Sequence, residues 1–176
     1  MLRKIFYHIM VVALLACSLL LGGCIFMKGG YSLSGASIPE AAKTFSVAYF
    51  PNNAPMVSPT LSTTLTEALK DKFSRQTKLQ QVQRGGDLQL EGEITAYDQL
   101  NKSISSDGFS SMVQLKMTVN VRFTNNTNHD EDFERQFSAT RDFDATQSLE
   151  SVQEELVTQM IDEIVNAIFN AAVANW

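Results

Sequence analysis

Residues Met112–Phe123, MVQLKMTVNVRF, alternate apolar and polar side chains from one end to the other. Successive side chains of a β-strand point to opposite faces, so this period of two predicts a strand with one buried and one solvated face. A sheet built on such a strand covers its apolar face with other elements and can leave its polar face to water. The polar side of this strand holds Gln114, Lys116, Thr118, Asn120 and Arg122.

Patterns on either side of this strand predict three more strands and two helices. Ser58 and Pro59 match the N-cap and the first helical position, and apolar residues at helical spacing extend a helix over residues 59–78. A second, longer helix is predicted over residues 147–174. The other strands are predicted at residues 43–50, 87–97 and 131–143, with polar hairpin loops at residues 101–111 and 125–130.

The order of these elements, β-α-β-β-β-α, predicts the fold class. The first helix connects two strands that should be parallel, with a right-handed crossover. The three later strands should form an antiparallel meander, since short polar loops join them. Because each strand has one apolar face, we expect an α+β fold: a four-stranded mixed sheet with two helices packed on one face.

The N-terminus has the layout of an export signal. Arg3 and Lys4 precede a mainly apolar run of 17 residues, and Leu21-Gly22-Gly23-Cys24 follows. A cysteine directly after two small residues resembles a bacterial lipobox, which implies cleavage before Cys24, a lipid on its sulfur and acylation of the new amino terminus. The alternative is an uncleaved membrane span, because 17 residues can just cross a thin hydrocarbon core.

We therefore expect a lipoprotein signal peptide over residues 1–23, a lipidated tether over 24–30 and one domain over 31–176. Cleavage leaves 153 residues and changes the net charge from −5 to −7, because Arg3 and Lys4 leave with the leader. The acidic balance argues against nucleic acid as a partner. A single remaining cysteine excludes an intramolecular disulfide and leaves Cys24 free for lipid attachment.

Two segments are candidate contact sites for a ligand or a partner. Lys116 and Arg122 share the polar side of one strand, and Arg135 and Arg141 could join them. The plainer interpretation is a solvated sheet face; the functional one is a partly basic surface for an anionic headgroup or for the wall of a larger protein. The loop at residues 101–111, with Lys102 and Phe109, is either a solvated tip or a probe of a partner's interior.

The end of the second helix leaves a similar choice. Val165, Phe169 and Val173 widen its apolar stripe beyond the main seam. Either the helix lies deep between the sheet and the first helix, or these side chains form an exposed surface for a partner.

No sequence motif predicts catalysis or a cofactor. His129 is the one histidine after the predicted cleavage site, and it lies in a predicted turn. The chain has no nucleophile elbow, phosphate-binding loop or zinc-protease motif. Residues 126–132 alternate Asn and Asp somewhat like a calcium loop but lack its glycine and its final glutamate. We expect a protein that is not an enzyme.

Several segments of the sequence resemble those of the LptE family of lipopolysaccharide-assembly lipoproteins. They are the lipobox at 21–24, YSLSGASIP at 31–39, TFSVAYFPNN at 44–53, LTEALKDKF at 65–73 and DLQLEGEITAY at 87–97. The resemblance implies an outer-membrane lipoprotein on the periplasmic side, which plugs the LptD β-barrel, assists its assembly and serves lipopolysaccharide transport to the cell surface. The resemblance also implies that lipopolysaccharide, contacted in transit, is a second partner.

One other function class remains open at this stage. A lipid-anchored periplasmic binding module that regulates another envelope-assembly system would have the same anchor and the same fold. It would bind a soluble or inner-membrane partner instead of a barrel.

Overall fold

The computed structural model describes residues 41–56, 58–104 and 110–173. A short 3₁₀ helix at His129–Glu131 precedes the last strand. The two α-helices are α1, Leu61–Gln76, and α2, Leu149–Val173. The strands are β1, Thr44–Val47; β2, Gln80–Gln81; β3, Leu88–Ile104; β4, Ser110–Asn125; and β5, Phe133–Asp144.

The strands form one mixed sheet in the order β2-β1-β3-β4-β5. β1 is parallel to both β2 and β3, whereas β3, β4 and β5 form an antiparallel meander. The predicted α+β class, its mixed sheet and its two helices are confirmed. The sheet has five strands instead of four, because the two residues of β2 pair with the edge of β1. Two exposed glutamines are too short a segment for an alternating pattern to reveal.

The β3–β4 hairpin is longer than predicted. Pairing continues through Asn101 opposite Val113 to Ile104 opposite Ser110, so the predicted loop at 101–111 is mostly strand and residues 105–109 lie outside the described chain. A bulge between Ile94 and Ala96 also shifts the alternation by one residue. Tyr97 therefore enters the core in place of Ala96, contrary to the simple alternation of the sequence.

Both helices pack on the same face of the sheet, and one aromatic cluster joins the layers. The Phe73 ring of α1 lies 5.6 Å from the Phe45 ring of β1 and 5.1 Å from the Phe169 ring of α2, between ring centroids. All three side chains are buried. The cluster connects sheet, first helix and second helix through direct ring contacts.

The apolar end of α2 belongs to this core. Val165, Phe169 and Val173 are each at most 5% exposed, so the interpretation of a deeply packed helix is confirmed. Among the described residues, α2 is long and apolar enough to cross a membrane by length and composition. Eight of its residues are buried within the protein, as expected of a core helix.

The start of α1 differs from the prediction. Thr60, not Ser58, is the N-cap, and no side chain caps the helix there. Ser58 contributes its carbonyl instead, which accepts a hydrogen bond from the Leu61 N–H at 3.3 Å. Pro59 and Thr60 form a turn at this point, so the helix begins two residues later than the sequence indicates.

Gly92 interrupts the apolar side of β3 for a steric reason. A Cβ atom at this position would lie 2.6 Å from the ring of Phe50 and would also meet the carbonyl oxygen of Asn120. The Phe50 ring, which is fully buried, occupies the space that a side chain at 92 would need. Glycine is therefore required where the segment after β1 packs onto β3.

A single carboxylate links the starts of β1 and β3. Asp87 Oδ2 accepts hydrogen bonds from the Lys43 N–H at 2.8 Å, the Thr44 N–H at 2.9 Å and the Thr44 hydroxyl at 2.9 Å. The bond from the Lys43 amide, followed by those from Thr44, lowers the pKa of Asp87 below its usual value. The ionised form of Asp87 therefore stabilises the junction of the two parallel strands.

Truncation of the central aromatic ring should destabilise the whole domain. We expect Phe73→Ala to lower the free energy of unfolding by about 3–5 kcal/mol, because it removes a fully buried ring and leaves a cavity. Urea unfolding followed by circular dichroism measures this loss. Phe137→Ala is the control, since Phe137 is only half-buried and should cost clearly less. Equal losses for the two variants would contradict the central role of Phe73.

Protonation of Asp87 should weaken the fold in acid. Because its pKa is lowered in the folded state, its contribution is present above the unfolded pKa and is lost as the pH falls through the folded pKa. Asp87→Asn should lower Tm by a few degrees at pH 7 and should reduce the further loss on acidification below about pH 4. Thermal unfolding across pH measures both effects. Asp130→Asn, which changes an exposed turn carboxylate, should leave the profile unchanged.

Candidate functional site

The candidate site is the sheet face that is turned away from the two helices, which we call the outer face. The strand register aligns its side chains in rows across β3, β4 and β5. Most positions in these rows are polar or charged. The outer face comprises Gln89, Glu91, Glu93, Ala96, Asp98 and Leu100 of β3, Gln114, Lys116, Thr118, Asn120, Arg122 and Thr124 of β4, and Glu134, Gln136, Ser138, Thr140 and Asp142 of β5.

Arg122 lies on this face as predicted, but its charge is matched by neighbours. It stands between Glu91 and Glu134 in one row. Its Nε and Nη2 atoms both donate to Glu134 Oε2 at 3.3 Å, and Asn120 Nδ2 donates to Glu134 Oε1 at 3.1 Å. The bond from Asn120, then those from Arg122, lower the pKa of Glu134. Glu134 thus stays ionised at neutral pH.

Lys116 occupies the equivalent position in another row, between Asp98 and Thr140. It is half-buried, as is Asp98. Asp98 Oδ1 is buried and has no hydrogen-bond partner within the described residues. By strand register, Lys116 lies opposite the Asp98 carboxylate, as Arg122 lies opposite that of Glu91.

The other two predicted cations lie on the opposite side of the sheet. Arg141 binds α2, where its Nη1 donates to Glu163 Oε2 at 2.8 Å and its Nε to Gln159 Oε1 at 3.1 Å. Arg135 stacks on the ring of Phe133 at 5.1 Å. The predicted gathering of Lys116, Arg122, Arg135 and Arg141 is therefore wrong, because strand alternation separates the last two from the first two.

Carboxylates outnumber cations on the outer face. Within the described side chains, Lys116 and Arg122 are its two basic residues. Phosphate recognition relies on convergent Arg and Lys donors, and here both cations already face acidic neighbours. The face is better suited to polar or basic protein groups than to an anionic headgroup. Its acidic residues are Glu91, Glu93, Asp98, Glu134 and Asp142.

Three predicted site residues cannot be compared with this geometry. Lys102 belongs to β3, but its side chain lies outside the described part of the protein. Phe109 and Cys24 lie outside the described residues altogether. Their predicted roles as contact residues and lipidation site stay predictions.

An exposed aromatic residue borders the outer face and was missed by the sequence analysis. Tyr49, which is 61% exposed, lies beside Glu91 and Arg122 at a groove of about 350 Å³. The predicted strand at 43–50 would have placed Tyr49 in the core with Phe45 and Val47. Instead β1 ends at Val47, so Tyr49 turns outward and Phe50 turns inward. Pro51 was the available signal that regular alternation stops here.

The polar side chains of the turn before β5 form hydrogen bonds within the turn. His129 Nδ1 lies 3.0 Å from Asp132 Oδ2 at the exposed end of the 3₁₀ helix. Asn125, which is fully buried, accepts the Thr127 N–H at 2.9 Å and donates to Glu131 at 2.7 Å, so it orders the turn. Over the described ranges, no group of three His, Cys, Asp or Glu residues could hold a metal ion.

The architecture defines the chain as a two-layer α+β domain with one helix-covered face and one polar face. It belongs to the LptE lipopolysaccharide-assembly family, whose model matches residues 42–172. This match covers every described strand and nearly the whole of α2. The family resemblance of the sequence is thereby confirmed.

Solved structures share the fold at low sequence identity. Uncharacterized lipoprotein B from Nitrosomonas europaea matches with a TM-score of 0.55 and 16% identity, over 82% of this chain and 88% of that chain. A hypothetical protein from Chlamydia trachomatis gives 0.54 and 9%, over 77% and 100%. A minor lipoprotein from Acinetobacter baumannii gives 0.50 and 16%, over 73% and 91%. No curated protein sequence matches the chain significantly.

The two strand arginines should differ in their effect on stability. Arg122→Gln should change the free energy of unfolding by less than about 1 kcal/mol, because both partners of its ion pair are largely exposed. Arg141→Gln should cost more, since this side chain is mostly shielded and connects β5 to α2. Urea unfolding of both variants tests the contrast. A larger loss for Arg122→Gln would contradict it.

Proposed function

We propose that this chain is an outer-membrane lipoprotein that acts as plug and assembly factor of the LptD β-barrel in lipopolysaccharide transport. The observation that carries the proposal is the family match across residues 42–172. In this proposal the lipid on Cys24 holds the domain at the periplasmic side of the membrane. The residues before 42 supply the anchor, and the matched residues supply the folded body.

The polar outer face is consistent with a place inside a barrel. The lumen of an outer-membrane barrel is hydrophilic, and the largest barrels have 26 strands or more. A domain of about 150 residues is about 40 Å across and requires such a wide lumen. A sheet face with Lys116, Arg122 and five carboxylates can remain hydrated or pair with polar wall residues there.

The charge of the outer face also bears on lipopolysaccharide. Lys102, Phe109, Lys116 and Arg122 are our candidate contacts for ligand or partner. Lys116 and Arg122 face acidic residues. We therefore propose that they contact the barrel wall in preference to lipid phosphates. Direct binding of lipopolysaccharide is the secondary role in this proposal.

Isolation of the complex tests the anchor and the partner together. The full-length tagged chain, expressed at native level and extracted in mild detergent, should co-purify with an LptD-type barrel and should be acylated at Cys24. Cys24→Ser should abolish acylation and remove the chain from the outer-membrane fraction, because one site carries the anchor. Mass spectrometry and membrane fractionation measure these outcomes.

Cys17→Ser is the matched control, because Cys17 lies in the predicted leader and should leave with it. This variant should be acylated, fractionate and co-purify like the wild type. A soluble or inner-membrane partner in place of a barrel would favour the regulatory binding module instead. An intact leader or an unacylated Cys24 would contradict the lipoprotein assignment.

A further inference from the structure

A groove of about 530 Å³ lies between the starts of the two helices. On one side it is lined by the residues that lead into α1, among them Pro59 and Thr60. On the other side it is lined by the first turns of α2, from Glu150 to Thr158. The groove is on the helix-covered side of the sheet and takes no part in the outer face.

The start of α1 presents main-chain donors to this groove. The first N–H groups of a helix have no partner within the helix. The N–H of Leu61 is bound by the Ser58 carbonyl, but within the described residues no acceptor reaches the N–H of Ser62 or Thr63. The N-cap Thr60 supplies no side-chain acceptor either. Since helix N–H groups point toward the N-terminus, both donors and the positive end of the helix dipole are directed to this end of the groove.

The hydroxyl of Ser58 is an independent sign of a ligand. Ser58 lines the groove and is only 9% exposed, and its hydroxyl has no hydrogen-bond partner among the residues that the structure describes. Polar groups at such depth are nearly always hydrogen-bonded in folded proteins. The Ser58 hydroxyl is therefore a third unused donor beside the two N–H groups of α1.

The opposite wall has the opposite charge. Glu150 and Glu154 lie one turn apart on α2, both are exposed, and no cation pairs with either within the described side chains. The dipole of α2 accounts for Glu150 in the first turn, but Glu154 lies beyond it. Pro59 and Val157 add apolar lining. A ligand for this groove therefore needs an anionic group, a cationic group and a short apolar link between them.

We propose that this groove binds a phosphoethanolamine group, with its phosphate at the start of α1 and its ammonium at Glu150 and Glu154. A phosphate offers enough oxygens to accept from Ser58, Ser62 and Thr63 together, whereas a carboxylate has only two. A primary ammonium has three N–H donors for the two glutamates, which a quaternary ammonium lacks. This site does not depend on the barrel proposed above.

A soluble probe tests the site on the full chain, purified from cells and reconstituted in phosphatidylcholine nanodiscs. O-phosphoethanolamine should shift the amide NMR signals of Ser62 and Thr63 in a saturable way. Inorganic phosphate and ethanolamine each carry one half of the charge pattern and should bind at least about tenfold more weakly. Phosphocholine should be weaker by a similar factor, because its ammonium cannot donate hydrogen bonds.

The same nanodiscs identify the source of the group. Replacement of part of the phosphatidylcholine by phosphatidylethanolamine should shift the same two amide signals if the ligand is a lipid headgroup. Shifts by the soluble probe alone would assign the site to a soluble phosphomonoester. Both results support recognition of phosphoethanolamine.

Removal of the two carboxylates should change selectivity. The variant with Glu150→Gln and Glu154→Gln should lower the preference for O-phosphoethanolamine over inorganic phosphate from about tenfold to about twofold or less, because repulsion of the anion and attraction of the ammonium both disappear. Glu155→Gln is the matched control, since it makes the same change on the same helix at a residue outside the groove lining. This variant should keep the preference.

Removal of the buried hydroxyl should change affinity without changing selectivity. Ser58→Ala should weaken O-phosphoethanolamine and inorganic phosphate alike, by about tenfold, because it deletes a donor to the phosphate. Ser74→Ala, at an exposed serine of α1 away from the groove, should leave both affinities unchanged. If Ser58→Ala fails to fold, the glutamate variants still decide the question.

Three results would overturn the proposal. The first is equal affinity of the wild type for inorganic phosphate and O-phosphoethanolamine. The second is an absence of shifts at Ser62 and Thr63 with both the soluble probe and phosphatidylethanolamine. The third is a loss of preference in Glu155→Gln as large as that in the double variant, which would reduce the effect to the overall charge of α2.

Discussion

A sheet with one apolar face is the constraint on which the rest of this structure depends. Leu90, Phe123 and their neighbours require cover on one side only, so both helices must pack there. Phe73 completes this layer, because it contacts the sheet through Phe45 and the second helix through Phe169. Within residues 41–56, 58–104 and 110–173, a partner can consequently reach the sheet at its outer face or its edges, and the helices at their solvent side.

The sequence predicted the sheet and helix layers well, but it predicted poorly where individual strands and helices begin and end. Alternation over 112–123 identified a strand whose apolar side is the one packed in the core, because a period of two holds as long as the ladder is regular. It failed where the ladder is irregular. The bulge at Thr95 exchanged Ala96 for Tyr97 in the core, and the early end of β1 turned Tyr49 outward. Such shifts arise from pairing with a distant strand, which local patterns do not contain.

The candidate site shows a related limit. Lys116 and Arg122 were correctly placed on one strand face, since that depends on alternation alone. Their chemical environment was not predictable, because Asp98, Glu91 and Glu134 come from the two neighbouring strands. Cross-strand register therefore places both apparent basic contacts in rows with carboxylates, and the face as a whole becomes acidic. A charge pattern read along one strand identifies residues that share a face, but only register identifies their partners.

Arg141 shows how one residue can join two layers and also occupy part of a strand edge. Its guanidinium binds Glu163 and the Gln159 side chain, so it holds α2 against β5. The same group donates to the Thr140 carbonyl, and this occupies an acceptor that an added strand would need. Natural sheets protect long edges with charged side chains, and β5 has Glu134, Arg135, Arg141 and Asp142 along its length. In the first half, Arg135 also stacks on the half-buried ring of Phe133. The charged side chains of β5 therefore act in two ways: they protect the long edge of the sheet, and through Arg141 they hold α2 against it.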